Sequence, residues 1–412
     1  MRILHTSDWH LGQHFMGCSR EREHRALIRW VAQQLIEHDI DALLIVGDLF
    51  DTSTPPSYAR ECYNELIVAV HEAGAQLVIL GGNHDAAAVL NEHRSLARHV
   101  STHIVATIDR HNLAQNIIVL PDRSGQAGAI LCAIPFIRPK DVLFSQSSHS
   151  ASETGYSDLQ QAIAAHYDAM YQLAQHHREA IGRPELPIIA TGHLTALGTK
   201  LGRSESVRDI YIGTLEAFST QDLPPVDYIA LGHIHRAQII GPTQHIRYCG
   251  APLALSFDET EVKQMWQIDL TTAGQPPQIT SRPVPCFQML RSLRGNFAAI
   301  RQQIDALEQP PEGQSLWLEV LLDSDEYLHD AQTQIQALLQ DRPMQLLRLR
   351  RIKTHQPASL AREQHETLKE LSLEEVFKKR LALETLTPET EAALIRCYQE
   401  ILEATHAAGT TS

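Results

Sequence analysis

The sequence predicts an α/β protein whose first half is built on a parallel β-sheet with helices on its faces. Apolar runs at 41–46 and 76–80 are each followed by glycine, which is typical of buried strands. Segment 21–38 has helical periodicity, and segment 55–74 has proline near its start and glycine at its end. Such strand–helix–strand units imply parallel strands covered by helices.

Other elements of the first half follow in order. A strand at 2–7 opens the chain, and the remaining strand-like runs lie at 116–120, 129–134, 187–190 and 228–231. The runs 238–240, 245–249 and 265–270 look like a second sheet built from hairpins. The serine-rich segment 145–156 is predicted to be an exposed loop, and 158–181 a long helix.

The length of 412 residues predicts more than one hydrophobic core. We predict a first domain at 1–277, which ends in a Gln-Pro-Pro sequence, and a small α+β domain at 281–353. The small domain has helices at 297–307 and 330–339 between strands that include 316–322 and 344–352. A linker at 354–359 and two C-terminal helices within 360–405 complete the chain.

Charge and cysteine content restrict the function classes. Lys and Arg number 35 against 49 Asp and Glu, a net charge of −14. This balance argues against a nucleic-acid substrate unless bound cations and a partner supply the positive field. Six scattered cysteines without a C-x-x-C pair, and no signal sequence or membrane-length apolar run, predict a cytoplasmic protein.

Five short polar signals each follow a predicted strand. They are Asp8-Trp9-His10, Gly47-Asp48-Leu49-Phe50-Asp51, Gly82-Asn83-His84-Asp85, Gly192-His193 and Gly232-His233-Ile234-His235. Taken singly, most of them are as well explained by turns or helix caps. Their repetition after successive strands favours one shared site, because loops at the carboxyl ends of parallel strands converge.

The residue types indicate phosphodiester hydrolysis with two metal ions. Two cations about 3.5–4 Å apart activate water and neutralise charge on the phosphate oxygens. Such a pair needs a bridging carboxylate, for which Asp48 is the natural choice. Nitrogen and oxygen ligands without thiolate suit Mn²⁺, Fe²⁺ or Zn²⁺. His84 is left free to contact the phosphate or to protonate the leaving oxygen.

In this order, the five signals resemble the calcineurin-like metallophosphoesterase superfamily. The segments 6–12, 47–52, 55–60 and 230–236 are similar to the SbcD family, the nuclease subunits of bacterial SbcCD complexes, and the similarity spans nearly the whole chain. This resemblance implies a four-layer α/β/β/α sandwich of two mixed sheets flanked by helices. It also implies a small α+β capping domain and C-terminal helices.

The resemblance further implies a manganese-dependent nuclease that cuts double-stranded DNA ends, single strands and hairpins in DNA repair, recombination and replication. It would act as a homodimer within a heterotetramer that contains the SbcC ATPase. By motif position, one metal would be held by Asp8, His10, Asp48 and His235, and the other by Asp48, Asn83, His193 and His233. His84 would be catalytic, and Asp51 would orient a ligand or His84.

The C-terminal helices and one basic strand are candidate interaction surfaces. Apolar residues at helical spacing are Leu373, Val376, Phe377, Leu381, Leu394, Ile395, Tyr398, Ile401 and Leu402. They either pack on their own domain or dock onto the ATPase, and the resemblance favours docking. Arg348 and Arg350 share one face of a strand, which either contacts DNA phosphates or is simply solvated.

The alternative function is a small-molecule or cyclic-nucleotide phosphodiesterase of the same superfamily. The chemistry at phosphorus would be the same, so the site residues alone do not separate the two functions. The extra sequence after about residue 281, which a minimal phosphodiesterase does not need, favours the DNA nuclease.

Overall fold

The computed structural model describes residues 1–143, 156–196, 218–311, 313–323 and 328–352. Within these residues the strands form two six-stranded sheets, one three-stranded sheet and a two-stranded hairpin. No helix in this part of the chain has the length and apolar character needed to cross a membrane. The predicted loop at 145–156 falls almost wholly outside the described residues, and the linker and C-terminal helices lie entirely outside them.

The strands are β1 (Arg2–Thr6), β2 (His14–Phe15), β3 (Cys18–Ser19), β4 (Ala42–Val46), β5 (Gln76–Leu80), β6 (Thr102–Val105), β7 (Ile117–Pro121), β8 (Ala127–Cys132), β9 (Ile188–His193), β10 (Tyr228–Gly232), β11 (Gln238–Ile239), β12 (Ile246–Tyr248), β13 (Gln264–Asp269), β14 (Gln278–Pro283), β15 (Leu290–Gly295), β16 (Leu316–Leu322) and β17 (Met344–Arg351). The helices are α1 (Glu21–Glu37), α2 (Ser57–Glu72), α3 (Ala87–Leu90), α4 (Arg94–Ala97), α5 (Pro139–Val142), α6 (Tyr156–Ala180), α7 (Phe297–Ala306) and α8 (Leu328–Leu339). Short 3₁₀ turns lie at Asn91–His93, Arg98–Val100, Leu113–Asn116 and Thr220–Asp222.

Both large sheets are mixed. The first has the order β14-β13-β1-β4-β5-β6, in which β1, β4, β5 and β6 are parallel and β13 and β14 pair antiparallel. The second has the order β11-β12-β10-β9-β8-β7, with a parallel centre of β12, β10, β9 and β8. The small sheet has the order β15-β16-β17.

The layers follow from the alternation of apolar side chains along the central strands. In β4, Leu43 and Ile45 pack in the core that α1 and α2 cover, whereas Leu44 and Val46 pack in the core between the two sheets. In the second sheet, the outer face of β9 packs on α6 and its Ile189 points to the first sheet. Strands buried on both faces need such continuous apolar runs. The predicted four-layer α/β/β/α sandwich is therefore confirmed.

The predicted hairpin sheet is wrong in one element. Strands β11 and β12 pair antiparallel in the second sheet, but β13 pairs with β1 and with β14 in the first sheet. Met265 and Ile268 of β13 are buried in cores on opposite faces, as expected for a strand in a sheet that is covered on both sides. The first sheet thus extends through β14, beyond residue 277, where we predicted the first domain to end.

The chain divides into two compact units. The first comprises 1–293, 307–319 and 339–348, and it contains both large sheets. The second comprises 294–306, 320–338 and 349–412, and α7 lies within it. The predicted boundaries at 281, 353 and 359 remain predictions.

Candidate metal centre

All five polar signals lie at the carboxyl ends of neighbouring parallel strands. In the first sheet the loops after β1, β4 and β5 carry Asp8 and His10, Asp48, and Asn83 and His84. In the second sheet β9 ends at His193, and the loop after β10 carries the last two histidines, His233 and His235. The signals predicted from sequence are therefore brought together at one edge.

Glycine allows the two sheets to touch at this edge. A Cβ atom on Gly232 would lie 1.9 Å from the Val46 carbonyl oxygen, and one on Gly47 would lie 2.1 Å from His193 Nδ1. A Cβ atom on Gly82 would lie 2.1 Å from Asp48 Oδ1. Gly232 and Gly47 thus leave space for groups of the other sheet, and Gly82 leaves space for the Asp48 carboxylate of the neighbouring strand end.

Four of the candidate ligands have left-handed backbone conformations, which non-glycine residues rarely adopt. The φ angles are +55° at Asp8, +49° at His10, +50° at Asp48 and +91° at His233. Each such residue costs roughly 1–3 kcal/mol and persists only where its surroundings impose it. Here the amides of Asp8 and His10 donate to the carbonyls of Gly47 and Asp48, at 3.0 and 3.1 Å.

The first candidate cation position lies between Asp48, Asn83 and His193. His193 Nδ1 is 2.9 Å from the Val46 carbonyl oxygen, to which it must donate. Its Nε2 is 3.1 Å from Asp48 Oδ2 and 3.0 Å from Asn83 Oδ1. His233 Nδ1 lies 3.1 Å from the same Asn83 oxygen. The ligand atoms of Asp48, His193 and His233 all lie within 4.8 Å of one another.

Charge at this position favours a cation. Burial alone would lower the pKa of His193, but the Asp48 carboxylate outweighs burial and raises it to about 9. A proton on Nε2 then sits between the Asp48 and Asn83 oxygens. A divalent cation can replace that proton, because metal binding to histidine releases protons. Burial, with the charge of His193, lowers the pKa of His233 to about 4, so His233 is neutral and has a lone pair to offer.

The second candidate position lies between Asp8, His10 and His235, whose ligand atoms are also within 4.8 Å of one another. All three side chains are buried. His10 Nδ1 lies 3.2 Å from Asp51 Oδ1, and His10 Nε2 has no hydrogen-bond partner. A buried nitrogen without a partner is costly in the absence of a ligand. A carboxylate beside the other ring nitrogen is the usual arrangement of a metal-binding histidine.

The two predicted catalytic residues lie next to His10. The His84 and His10 rings are 5.0 Å apart, and His84 Nδ1 is 2.8 Å from the Asp51 backbone carbonyl. Asp51 therefore contacts both His10, through its carboxylate, and His84, through its backbone. His84 is half-buried, so its other ring nitrogen can meet a substrate. One ligand atom each from His10, Asp51 and His84 also lie within 4.8 Å of one another.

The sequence reasoning assigned no role to Asp85, although this residue belongs to the Gly82–Asp85 signal. Its carboxylate accepts hydrogen bonds from the backbone N–H groups of Leu49, Phe50 and Gly82 at 3.2, 2.9 and 2.9 Å. Burial, with the nearby Asp48 charge, raises the pKa of Asp85 to about 6. Asp85 thus ties the loop after β5 to the loop after β4.

Other supporting residues gave no signal in the sequence. Ser7 Oγ donates to Asp8 Oδ2, and the Asp8 carboxylate also accepts from the His233 amide at 3.1 Å. Tyr248 Oη donates to the Leu194 carbonyl at 2.6 Å and so fixes the backbone that follows His193. Ser7 is adjacent to Asp8 in the chain, whereas the contacts of His233 and Tyr248 join distant segments, which is why no local pattern indicates those two.

The residues fit a pair of divalent cations. Two of the three groups, Asp8-His10-His235 and Asp48-His193-His233, each combine residues from both sheets and contain a carboxylate and imidazoles but no thiolate, and this donor set suits Mn²⁺, Fe²⁺ or Zn²⁺. Two independent observations indicate bound cations. His10 Nε2 has no hydrogen-bond partner, and the charges around His193 favour a cation beside its Nε2.

Comparison with known proteins agrees with this geometry. The calcineurin-like phosphoesterase family model matches residues 1–237, and the model of the type 5 capsule protein repressor C-terminal domain matches residues 286–385. The chain is 45% identical to the SbcD subunit of the nuclease SbcCD of Escherichia coli (strain K12) over 405 residues, 98% of each chain. The chain belongs to the SbcD family.

More distant members of the SbcD family are also similar. The SbcD subunit of Rhodobacter capsulatus is 32% identical over 87% of this chain and 90% of its own, and that of Bacillus subtilis (strain 168) is 29% identical over 67% and 71%. As an SbcD-family protein with a calcineurin-like phosphoesterase domain, the chain is a phosphodiester hydrolase.

The candidate interaction residues of this SbcD-family chain have different environments. Arg348 forms an ion pair with Glu319, a buried carboxylate that also accepts from Ser292 Oγ at 2.9 Å. Arg350 is exposed. The partner-docking candidates Leu373, Val376, Phe377, Leu394, Tyr398 and Ile401 lie outside the described residues. Roles for all of these residues remain predictions.

We expect that Asp85→Ala weakens Mn²⁺ binding at least tenfold, measured by isothermal titration calorimetry. The substitution leaves three buried N–H groups without an acceptor, each at a cost of about 1–3 kcal/mol, in the two loops that hold Asp48 and Asn83.

Asp227→Ala is the matched control. Asp227 likewise accepts from two backbone N–H groups, of Ile188 and Gly274, but at the start of β9 rather than at its end. Equal losses of Mn²⁺ affinity in the two variants would show that Asp85 acts only through general stability.

Proposed function

We propose that this protein is a metal-dependent DNA nuclease. The observation that carries the proposal is the convergence of two groups of metal-binding side chains from both sheets at one edge. The relatives that are named as nucleases of SbcCD complexes support DNA as the substrate, because the similarity covers 98% of the chain. The substrate modes we propose are double-stranded ends, cut as an exonuclease, and single strands and hairpins, cut as an endonuclease.

The cations would be Mn²⁺, held by the residues predicted from the sequence. Asp48 is proposed to contact both, with Asp8, His10 and His235 at one and Asn83, His193 and His233 at the other. When bound, two such ions neutralise charge on the phosphate oxygens and lower the pKa of a water molecule. The protein keeps Nδ1 of His193 on the Val46 carbonyl, which presents Nε2 to the cation position.

His84 is proposed to act on the phosphodiester itself. Its Nδ1 is held by the Asp51 carbonyl, which fixes the ring and leaves Nε2 for the substrate. From there the ring can donate a proton to the leaving oxygen or stabilise charge in the transition state. Asp51 would serve as a positioning residue, because it contacts both His84 and His10.

The decisive experiment compares substrates. Purified protein with Mn²⁺ is expected to cut a DNA hairpin and a single-stranded oligonucleotide, and to leave 2′,3′- or 3′,5′-cyclic nucleotides intact. Cleavage of the cyclic nucleotides, with DNA left uncut, would instead establish the small-molecule phosphodiesterase function. Reconstitution with Mn²⁺, Mg²⁺ and Zn²⁺ in parallel identifies the active metal.

The proposed partner is an SbcC-type ATPase, with two copies of this chain in a heterotetramer that acts in DNA repair, recombination and replication. The net charge of −14 supports a partner that supplies much of the grip on the DNA backbone. We place the complex in the cytoplasm, and the free cysteines Cys18, Cys62, Cys132, Cys249 and Cys286 are consistent with a reducing compartment.

Two variants separate metal binding from phosphate chemistry. Asp48→Ala is expected to lose bound Mn²⁺ together with all nuclease activity. His84→Ala is expected to retain both ions while kcat falls by about 100- to 10,000-fold, the usual contribution of a general acid. Metal content is measured by mass spectrometry after dialysis, and cleavage by gel electrophoresis. One ion fewer in His84→Ala would make His84 a ligand, and full activity of Asp48→Ala would refute the bridging role.

Two further variants test the docking of the C-terminal helices. Phe377→Asp and Tyr398→Asp put charge on the predicted apolar faces and are expected to abolish co-purification with the ATPase. Metal-dependent cleavage by the isolated chain should persist, because the candidate metal ligands lie before residue 236. Lys379→Asp is the control, because Lys379 lies on the polar side of the predicted helix that contains Phe377. Unchanged association of all three variants would eliminate docking through these faces.

A further inference from the structure

A segment at the rim of the metal centre remains unused by the chemistry described above. It comprises residues 135–140, Pro-Phe-Ile-Arg-Pro-Lys, and is called the rim segment below. It follows β8 in the second sheet and is fixed at two points. The amide of Ile134, just before it, donates to Thr191 Oγ1 at 2.7 Å, and the amide of Phe136 donates to the Gly81 carbonyl at 2.8 Å.

These anchors place the rim segment at the strand ends that carry the metal ligands. Thr191 precedes His193 by two residues, and Gly81 precedes Asn83 by two residues. The rim segment therefore runs from one sheet to the other along the edge where both present their ligands. Because its backbone is hydrogen-bonded to both sheets, its side chains have defined positions relative to the site.

Phe136 contacts a metal-site histidine and is still partly open to solvent. The Phe136 and His193 rings are 6.2 Å apart and nearly perpendicular, at 83°. The burial of Phe136 is intermediate, whereas its neighbours Pro135 and Ile137 are buried. Phe136 is therefore an aromatic residue that is partly exposed beside a polar catalytic edge, and nucleobases stack on aromatic residues of this kind.

Arg138 adds a positive charge to this surface. Its guanidinium carbon lies 5.9 Å from the centroid of the Phe136 ring. No carboxylate of the described residues forms a salt bridge with Arg138 or with Lys140. Arg236 and Lys263, by contrast, do form salt bridges. Arg236 pairs with Glu261 and Lys263 pairs with Glu259.

We propose that the rim segment binds the strand that carries the scissile phosphodiester, with Phe136 stacked on an unpaired base and Arg138 on a phosphate. The proposal rests on the proposed nuclease function and names the element that would grip its substrate. An unpaired base is required because, inside a duplex, both faces of a base are covered by its neighbours. The rim segment would thus favour single strands and opened ends over intact duplex.

The phosphate contact is tested by the salt dependence of binding. A labelled single-stranded oligonucleotide is titrated by fluorescence anisotropy against the full chain with Mn²⁺, in a His84→Gln background to prevent cleavage. Arg138→Ala is expected to weaken binding about tenfold and to reduce the slope of log affinity against log salt by about 0.7, the value for one single-strand phosphate contact.

Arg29→Ala is the matched control. Arg29 is exposed on α1 and outside the metal centre, so its loss removes the same charge without removing a phosphate contact. Arg138→Lys is expected to restore the salt slope. A slope for Arg138→Ala equal to that of Arg29→Ala would overturn the phosphate assignment.

The stacking contact is tested with an abasic oligonucleotide of the same length. Phe136→Leu is expected to weaken binding of the normal oligonucleotide roughly tenfold and to have no effect on the abasic one, whereas Phe136→Tyr should bind both like the parent. Equal weakening on both oligonucleotides would mean that Phe136 only supports the fold of the site, which would overturn the proposal.

Failure of this inference differs from failure of the proposed function. If the unaltered chain cuts DNA hairpins while the rim variants bind single strands normally, the grip lies elsewhere and only the inference fails. If the unaltered chain with Mn²⁺ cuts no DNA, both the proposed function and this inference fail. Manganese content of each rim variant, measured by mass spectrometry, confirms that the metal centre is intact.

Discussion

The contact between His193 and the Val46 carbonyl is the constraint on which the site depends. This hydrogen bond of 2.9 Å joins the last residue of β9 in the second sheet to the last residue of β4 in the first. It sets the position of the imidazole, and therefore the direction in which Nε2 faces Asp48 and Asn83. Gly47 and Gly232 leave the space that the contact requires, since a Cβ atom at either would clash with His193 or Val46.

The metal centre gathers several features that oppose folding. Asp8 and Asp48 are buried carboxylates with left-handed backbones, and the buried His10 has an unpartnered ring nitrogen. Each feature has a cost, either in backbone strain or in lost solvation. Cations at the two positions would offset the cost of burying these charges. The apolar core between the sheets and the brace from Asp85 hold the loops in place for such ions.

The sequence predicted the central strands well because a continuous apolar run can be recognised from neighbouring residues in the chain alone. Continuous apolar runs such as 41–46 and 76–80 can only be buried on both faces, and the polar residues after them can only lie at the strand ends. The position of β13 was not predictable, since an apolar run does not specify which strand it pairs with. Strand β6 was missed because it is only four residues long and its first two residues, Thr102 and His103, are polar.

The same distinction applies to the metal centre. The motifs identified every side chain of the two metal groups, because each lies within a few residues of a strand end. The partners that fix those side chains from elsewhere in the chain, such as the His233 amide for Asp8 and Tyr248 for the segment after His193, were not predictable. Their contacts depend on three-dimensional neighbours, and the rim segment is another such neighbour.

The division of ligands between the two sheets has a consequence for biosynthesis. Each of the two metal groups combines residues from the first sheet with at least one histidine at position 193, 233 or 235. A chain still emerging from the ribosome has neither group complete until residues 233 and 235 have been made and the second sheet has closed on the first. Since domains tend to fold from the N-terminus as they are synthesised, an unfinished chain would lack both complete groups and would have neither of the two cation positions.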